Sequence, residues 1–451
     1  MRTLLLLLPL LLLAACRKDA DVVAEQEIRI HFTCDTFGRL EPCGCFTGQH
    51  GGLTRLRSWL QEKDREGSSL RLDVGGALAG SHDYDIIQYD YLLKAYDAMG
   101  FQALNLGGRE AEVSADELLK ATADSPVEII SASLVDPESR ESLFKPYTVI
   151  ELGPRKIGVI GLLDPESCPK PGVGLAILGM DEALDRHLPE LKEQSDIIVA
   201  LTFADESAMN LLAKSYFELD LILGGDVGQP AQELTQANES LIGFTTNEGR
   251  TVASFSATIS AGTAPHLAAP VYDVQLLWDN IPQHPELRQM VVDYRKQIRE
   301  TELDVDRPAA DDPNAIPGVG STATYVGSAA CQSCHQEDHA IWEKTGHAKA
   351  FKTLVRLGAD ADPHCIKCHT VGFGEPSGYR REYGAEKLVD VTCESCHGPA
   401  SEHVDEMTSG KPKRFKFRPL GAADCTKCHY GEFSRPFVWD EFWPKVKHGG
   451  K

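Results

Sequence analysis

Four times between residues 323 and 451 the chain repeats the pentad C-x-x-C-H. The copies are Cys331-Gln-Ser-Cys334-His335, Cys365-Ile-Lys-Cys368-His369, Cys393-Glu-Ser-Cys396-His397 and Cys425-Thr-Lys-Cys428-His429. Two thiols three positions apart reach the two vinyl groups of one haem, and the adjacent His lies beneath its iron as proximal ligand. Structural zinc also uses paired C-x-x-C, but it does not require a His after every second Cys. The motifs start 34, 28 and 32 residues apart and consume eight of the thirteen cysteines. The segment therefore reads as the carrier of four covalently bound haem c groups. Its proximal ligands are His335, His369, His397 and His429.

The same segment has no long apolar periodicity and is rich in Gly, Lys and short polar runs. A chain of that kind buries too little apolar area to fold unaided. Porphyrin faces would supply the missing core, which predicts a mainly helical, loop-rich tetrahaem cytochrome c domain. Of its nine His, five remain as distal candidates: His339, His347, His364, His403 and His448. The segment's single Met is Met407, so methionine–histidine ligation is available to one haem at most. Bis-histidine ligation and low potentials are the default.

Around these motifs the residues resemble a family. Trp342-Glu-Lys-Thr-Gly-His347-Ala-Lys-Ala-Phe351 follows the first, Cys368-His369-Thr-Val-Gly-Phe373-Gly closes the second, and Cys393-Glu-Ser-Cys396-His397-Gly-Pro399 is the third. This order is similar to that of the cytochrome c-554 family, tetrahaem proteins that accept electrons from hydroxylamine oxidoreductase in nitrifying bacteria. The resemblance covers about residues 323–451. It implies three bis-His haems and a second haem that can be left five-coordinate. Carried over by position, His347, His403 and His448 match the distal ligands. The haem on Cys365, Cys368 and His369 has no obvious matching partner, and His339 and His364 are extra.

The region before the motifs is a different unit. Residues 321–451 carry 18 basic and 17 acidic side chains, whereas residues 1–320 carry 27 and 50. The net charge of −22 argues against nucleic acid or anionic lipid as main partner. Short apolar strands are expected at residues 27–33, 69–74, 101–106, 127–131, 156–162, 197–202 and 219–223, with helical patterns at 84–99, 181–191 and 206–217. Strands alternating with helices indicate α/β. Residues 251–260 and 270–277 read as late antiparallel strands of a mixed sheet. Residues 285–301 form an amphipathic helix with Leu287, Val291, Tyr294 and Ile298 on one stripe.

This region resembles the metal-dependent phosphoesterase half of bacterial periplasmic 5′-nucleotidases over about residues 27–282. The landmarks are Asp35-Thr-Phe37-Gly38-Arg39-Leu40, Asp73-Val-Gly75-Gly76, Leu106-Gly107-Gly108-Arg109-Glu110 and Asp220-Leu-Ile-Leu-Gly224-Gly225-Asp226-Val-Gly228. The resemblance implies a metallophosphoesterase-like mixed sandwich. That chemistry needs two metals held by carboxylates and imidazoles. Where the family has its first His this chain has Phe37, and the bridging Asp corresponds to Gly76. The Asn-His pair becomes Gly108-Arg109, and the later His positions become Phe203, Asp226 and Gly228; Asp35 alone survives. The implied outcome is a kept fold with a lost reaction.

Four further cysteines call for an explanation: Cys34, Cys43, Cys45 and Cys168. Cys34 and Cys168 follow strands, where loops of open α/β sheets gather on the functional edge. A redox thiol site where the metals stood is one reading, and ordinary disulfides of an exported protein are the other. Export is expected because Arg2, an apolar run over residues 4–13 and Leu13-Ala14-Ala15-Cys16 resemble a bacterial lipobox. Cys16 would carry the lipid.

The expected organisation is a lipoprotein signal over residues 1–15, a tether over 16–26 and a degenerate nucleotidase-like domain over 27–302. A Pro/Asp-rich linker over 303–322 and the tetrahaem domain over 323–451 complete it. The expected role is electron transfer in the periplasm or at the outer surface, between redox partner proteins and tethered to a membrane by lipid. Two alternatives stay open. One is a multihaem reductase of a small nitrogen or oxygen species, and the other is a sensor or scaffold module wired by haems.

Overall fold

The computed structural model describes residues 24–42, 49–246, 248–303, 323–375, 377–381, 385–410, 419–430 and 436–449. The expected lipidation site Cys16, the cysteines Cys43 and Cys45, and nearly all of the expected linker lie outside these residues.

Two six-stranded sheets face each other in the N-terminal part. The first runs Leu267–Leu276, Thr251–Ile259, Gln26–Thr33, Leu70–Asp73, Ala103–Asn105 and Glu128–Ile130 across its width. Its last four strands are parallel and its first two antiparallel. The second runs Thr235–Ala237, Ser240–Phe244, Leu221–Gly225, Ile197–Phe203, Arg155–Leu163 and Tyr147–Leu152, with four parallel strands between antiparallel edges.

Helices cover the outer faces, which is why Ile197–Phe203 is apolar and buried along its whole length instead of alternating. One core fills the space between the sheets, with Ile28, Ile30, Phe32 and Leu72 meeting Val159, Val199, Leu201 and Leu223. Met180–Gln194 and Glu206–Ser215 pack Leu184, Leu188, Leu191, Met209 and Leu212 on the far side of the second sheet. Asn105 ties the sheets together where polar backbone would otherwise be stranded. Its Nδ2 donates to the carbonyls of Val74, Leu162 and Leu201 at 2.9, 2.8 and 3.2 Å. This is the expected mixed α/β sandwich.

Helix Pro285–Glu300 buries the whole predicted stripe Leu287, Val291, Tyr294 and Ile298. The C-terminal part that follows is built from short helices and turns. Among the described residues its apolar cluster holds seven buried members: Tyr325, Leu354, Ala359, Ile366, Val371, Tyr379 and Leu388. That is too little to order a domain of this length without another source of buried surface.

Candidate functional site

Each pentad starts or ends a short helix, because the thiols and imidazole must leave one side of a single turn. Ser328–Gln332 brings Cys331, Pro363–His369 carries the whole second motif, Cys393–His397 the third, and Ala422–Cys425 the first thiol of the fourth. All eight motif cysteines and all nine His of the segment line one cavity of about 2760 Å³. A single small-molecule ligand occupies roughly 300–1,000 Å³, so this cavity is shaped for several groups.

Inside it the imidazoles face one another in pairs. His335 and His403 have ring centres 6.2 Å apart, His347 and His429 5.9 Å, and His397 and His448 6.0 Å. Metal–imidazole bonds of about 2.0–2.1 Å, with each ring centre about 1.1 Å beyond its nitrogen, put two rings on opposite sides of one metal roughly 6 Å apart. Each pair joins one motif His to one distal candidate. All eight motif thiols line the same cavity as these imidazole pairs, so the residues fit haem c.

The other ring nitrogens are held as ligating imidazoles require. Nδ1 of His369 lies 2.7 Å from the Ala350 carbonyl and Nδ1 of His448 lies 2.7 Å from that of Val446. A carbonyl only accepts, so both nitrogens donate and Nε2 keeps its lone pair for a metal. Asp338 stands 3.5 Å from Nδ1 of His335. Burial lowers the proton affinity of His347, His369, His397 and His429, which favours the neutral ligand form.

The two remaining His are engaged elsewhere. His339 is buried with its ring edge-on to Trp342 at 5.0 Å. His364 places Nε2 3.1 Å from Asp85 of the N-terminal part. Thiols of different motifs also meet: Cys331 is hydrogen-bonded to Cys393, and Cys428 to Cys368.

At the strand-end edge of the N-terminal sandwich, side chains fill the positions where metal ligands were expected to be missing. Asp35 and Phe37 adopt left-handed backbone, φ 54 and 52. That strain is held by hydrogen bonds from Asp35 N to Gly75 O and from Phe37 N to Gly76 O, at 2.8 and 3.0 Å. Arg109 pairs with Asp35, donates to the carbonyls of Leu78 and Gly76, and stacks over Phe37 at 4.3 Å. The Phe203 ring occupies the space beside Gly76 and Gly107; a Cβ added at either would lie 2.9 Å from it. A cation and a phenyl ring stand at this edge, and no group of three or more His, Cys, Asp or Glu suited to a metal ion is found among the described residues.

The thiols correct one expectation. Cys34 and Cys168 carry no disulfide, the second of the two readings, and both are buried at 2% exposure. The Cys34 sulfur sits in the space left by the absent side chain of Gly225. Burial pushes both thiols up, away from the exposed thiolate that redox chemistry uses. The sequence missed this because position beyond a strand end does not reveal which way a small side chain turns.

Comparisons with known proteins agree with this division. Residues 330–398 match the family described as cytochrome c554 and c-prime. Cytochrome c-554 of Nitrosomonas europaea is 35% identical over 109 residues, covering 21% of this chain and 46% of that protein. A 5′-nucleotidase of Diplobatis ommata is 26% identical over 229 residues, 48% of this chain and 40% of that one. The 5′-nucleotidase precursor of Thermus thermophilus superposes with a TM-score of 0.53 at 21% identity, over 61% of this chain and 59% of its own. The chain thus spans less than half the length of these two curated relatives. The C-terminal region is similar to cytochrome c554 proteins over residues 330–398, and the N-terminal region has the α/β fold of 5′-nucleotidases.

Proposed function

We propose that this protein is an extracytoplasmic electron carrier with four haem c groups, held to a membrane by lipid on Cys16. The observation that carries the reading is the set of three facing imidazole pairs in a cavity lined by all eight motif thiols. When bound, haem c supplies reversible one-electron exchange at iron. The chain's part is to hold the groups and to order them. His335 with His403, His397 with His448, and His429 with His347 would each clasp one iron, and His369 would hold the second haem. The eight motif thiols share that one cavity, which places the groups close enough for exchange among them. Redox proteins of unassigned identity would serve as donor and acceptor.

The N-terminal domain on this reading does not hydrolyse phosphate esters, since Phe203 and Arg109 take the place of ligands a two-metal centre needs. Intact-mass measurement of the mature protein tests the main claim. Four haem additions are expected, and fewer would overturn it. Nitrophenyl phosphate turnover with manganese, cobalt or zinc that vanishes in Asp35→Ala would overturn the second claim.

A second reading has its own support. His339 and His364 are engaged with Trp342 and Asp85, which favours a five-coordinate second haem and a reductase of a small nitrogen or oxygen species. A high-spin ferric signal from one haem in four separates it from a pure carrier.

A further inference from the structure

Helix Pro363–His369 carries Cys365, Cys368 and His369 within seven residues, so its placement sets the geometry of the second haem site. Its N-terminal turn is fixed from two sides. From its own domain, Asp362 accepts a hydrogen bond from the backbone N–H of His364 at 3.0 Å. From the α/β domain, Asp85 places one carboxylate oxygen 3.1 Å from His364 Nε2.

Asp85 stands in the first turn of helix Asp83–Ala98 and is 3% exposed. Its other oxygen accepts from the backbone N–H of His82 at 2.9 Å and lies 3.0 Å from His82 Nδ1. Tyr84 stacks on His82 at 4.7 Å and meets His364 edge-on at 5.2 Å. A buried carboxylate is costly unless polar partners converge on it, and here the imidazole 3.1 Å from one of its oxygens belongs to the residue next to a haem-binding cysteine.

The surrounding seam is firm. Arg299 grips Asp360 through two bonds of 2.7 and 3.0 Å. Arg295 donates to the Leu357 carbonyl at 3.0 Å. Arg381 donates to the carbonyls of Ile298 and Thr301, each at 3.0 Å, closing the end of helix Pro285–Glu300. The wall of the haem cavity continues across this seam, where Arg39, His82, Asp85 and Gln88 line it together with Cys365 and Cys368.

We propose that the second haem site is a two-domain site, in which Asp85 of the α/β domain positions helix Pro363–His369 through His364. The proposal rests on the haem reading above. Asp85 touches neither haem nor iron; it acts as an outer partner of the kind that tunes a metal site through the residues it orients.

The test uses the full-length holoprotein. Peptide mass spectrometry first establishes haem on Cys365 and Cys368; its absence would overturn the functional reading, and the proposal with it. Spectroelectrochemistry then resolves the midpoints, and electron paramagnetic resonance the spin states, in Asp85→Ala, Asp85→Asn, Asp85→Glu and Arg299→Ala. The expected result is a shift of one midpoint or one spin signature in the Ala and Asn variants, with the other three haems unmoved. Asp85→Glu should restore it in part, and Arg299→Ala should leave all four in place. Four unchanged midpoints together with unchanged spin signatures in Asp85→Ala would overturn the proposal. So would the same shift in Arg299→Ala, because the seam as a whole would then be responsible.

Discussion

The two halves of this chain treat a buried centre in opposite ways. In the α/β sandwich, the strand-end edge is filled by the chain's own groups: the Phe203 ring against Gly76 and Gly107, and the Arg109 guanidinium on Asp35. Among the described residues of the C-terminal domain, seven buried apolar side chains form a small cluster, and all eight motif Cys and nine His line one large cavity. A fold whose two sheets already bury a continuous core keeps its shape when metal ligands are exchanged for packing. A fold with a small apolar cluster around a large cavity lined by ligand side chains has no such reserve. The first can lose a cofactor and persist, and the second cannot.

The largest effect that could break this contrast is loss of haem. Protein exported without cytochrome maturation should lose helical signal from residues 323–449 and be clipped there by protease, while a fragment ending near residue 303 survives. Equal resistance of both halves would refute the dependence. Next comes Phe203→Ala, which removes the filling ring and should cost about 3–5 kcal/mol in denaturant unfolding of the α/β domain. A cost near zero would mean that the edge is not packed as described.

Arg109→Ala should cost less, about 1–3 kcal/mol, because it leaves the Asp35 carboxylate without its cation in a partly buried loop. The double change with Asp35→Asn should recover much of that loss; no recovery would argue against the pairing. The last effect, spread over more than two pH units, is a pH dependence confined to the sandwich. Burial, then the charges of Arg71 and Lys63, lower His31 to about 4. Its unfolded form takes up a proton near 6.5, so the unfolded state binds more protons between these values. The stability it contributes is complete above pH 6.5 and lost as pH falls towards 4. His31→Gln should flatten that slope in thermal melts.

Much of this was legible beforehand, for physical reasons that differ by element. Period-3.6 burial made helix Pro285–Glu300 readable to the residue, since all four stripe positions face the core. Strand Ile197–Phe203 was visible as a continuous apolar run. Helix Leu53–Lys63 was not, because it buries Thr54 and Arg55 alongside its leucines and so blurs the pattern. Strand Tyr147–Leu152 was missed as a half-exposed antiparallel edge. Haem attachment is local and was written in spacing alone. The pairing of imidazoles is not local: His335 meets a ring from residue 403, and His429 one from residue 347. Nothing in the linear order announces that Asp85 reaches His364, or that Phe203 and Arg109 converge on the same edge.

The pairing itself is the claim most directly open to measurement. Electron paramagnetic resonance on the oxidised holoprotein, compared with His403→Ala, His347→Ala and His448→Ala, counts low-spin haems one substitution at a time. Each variant should lose one bis-histidine low-spin signal and gain one high-spin signal, a different haem in each case. Three variants with the same low-spin count as the unmodified protein would contradict the account.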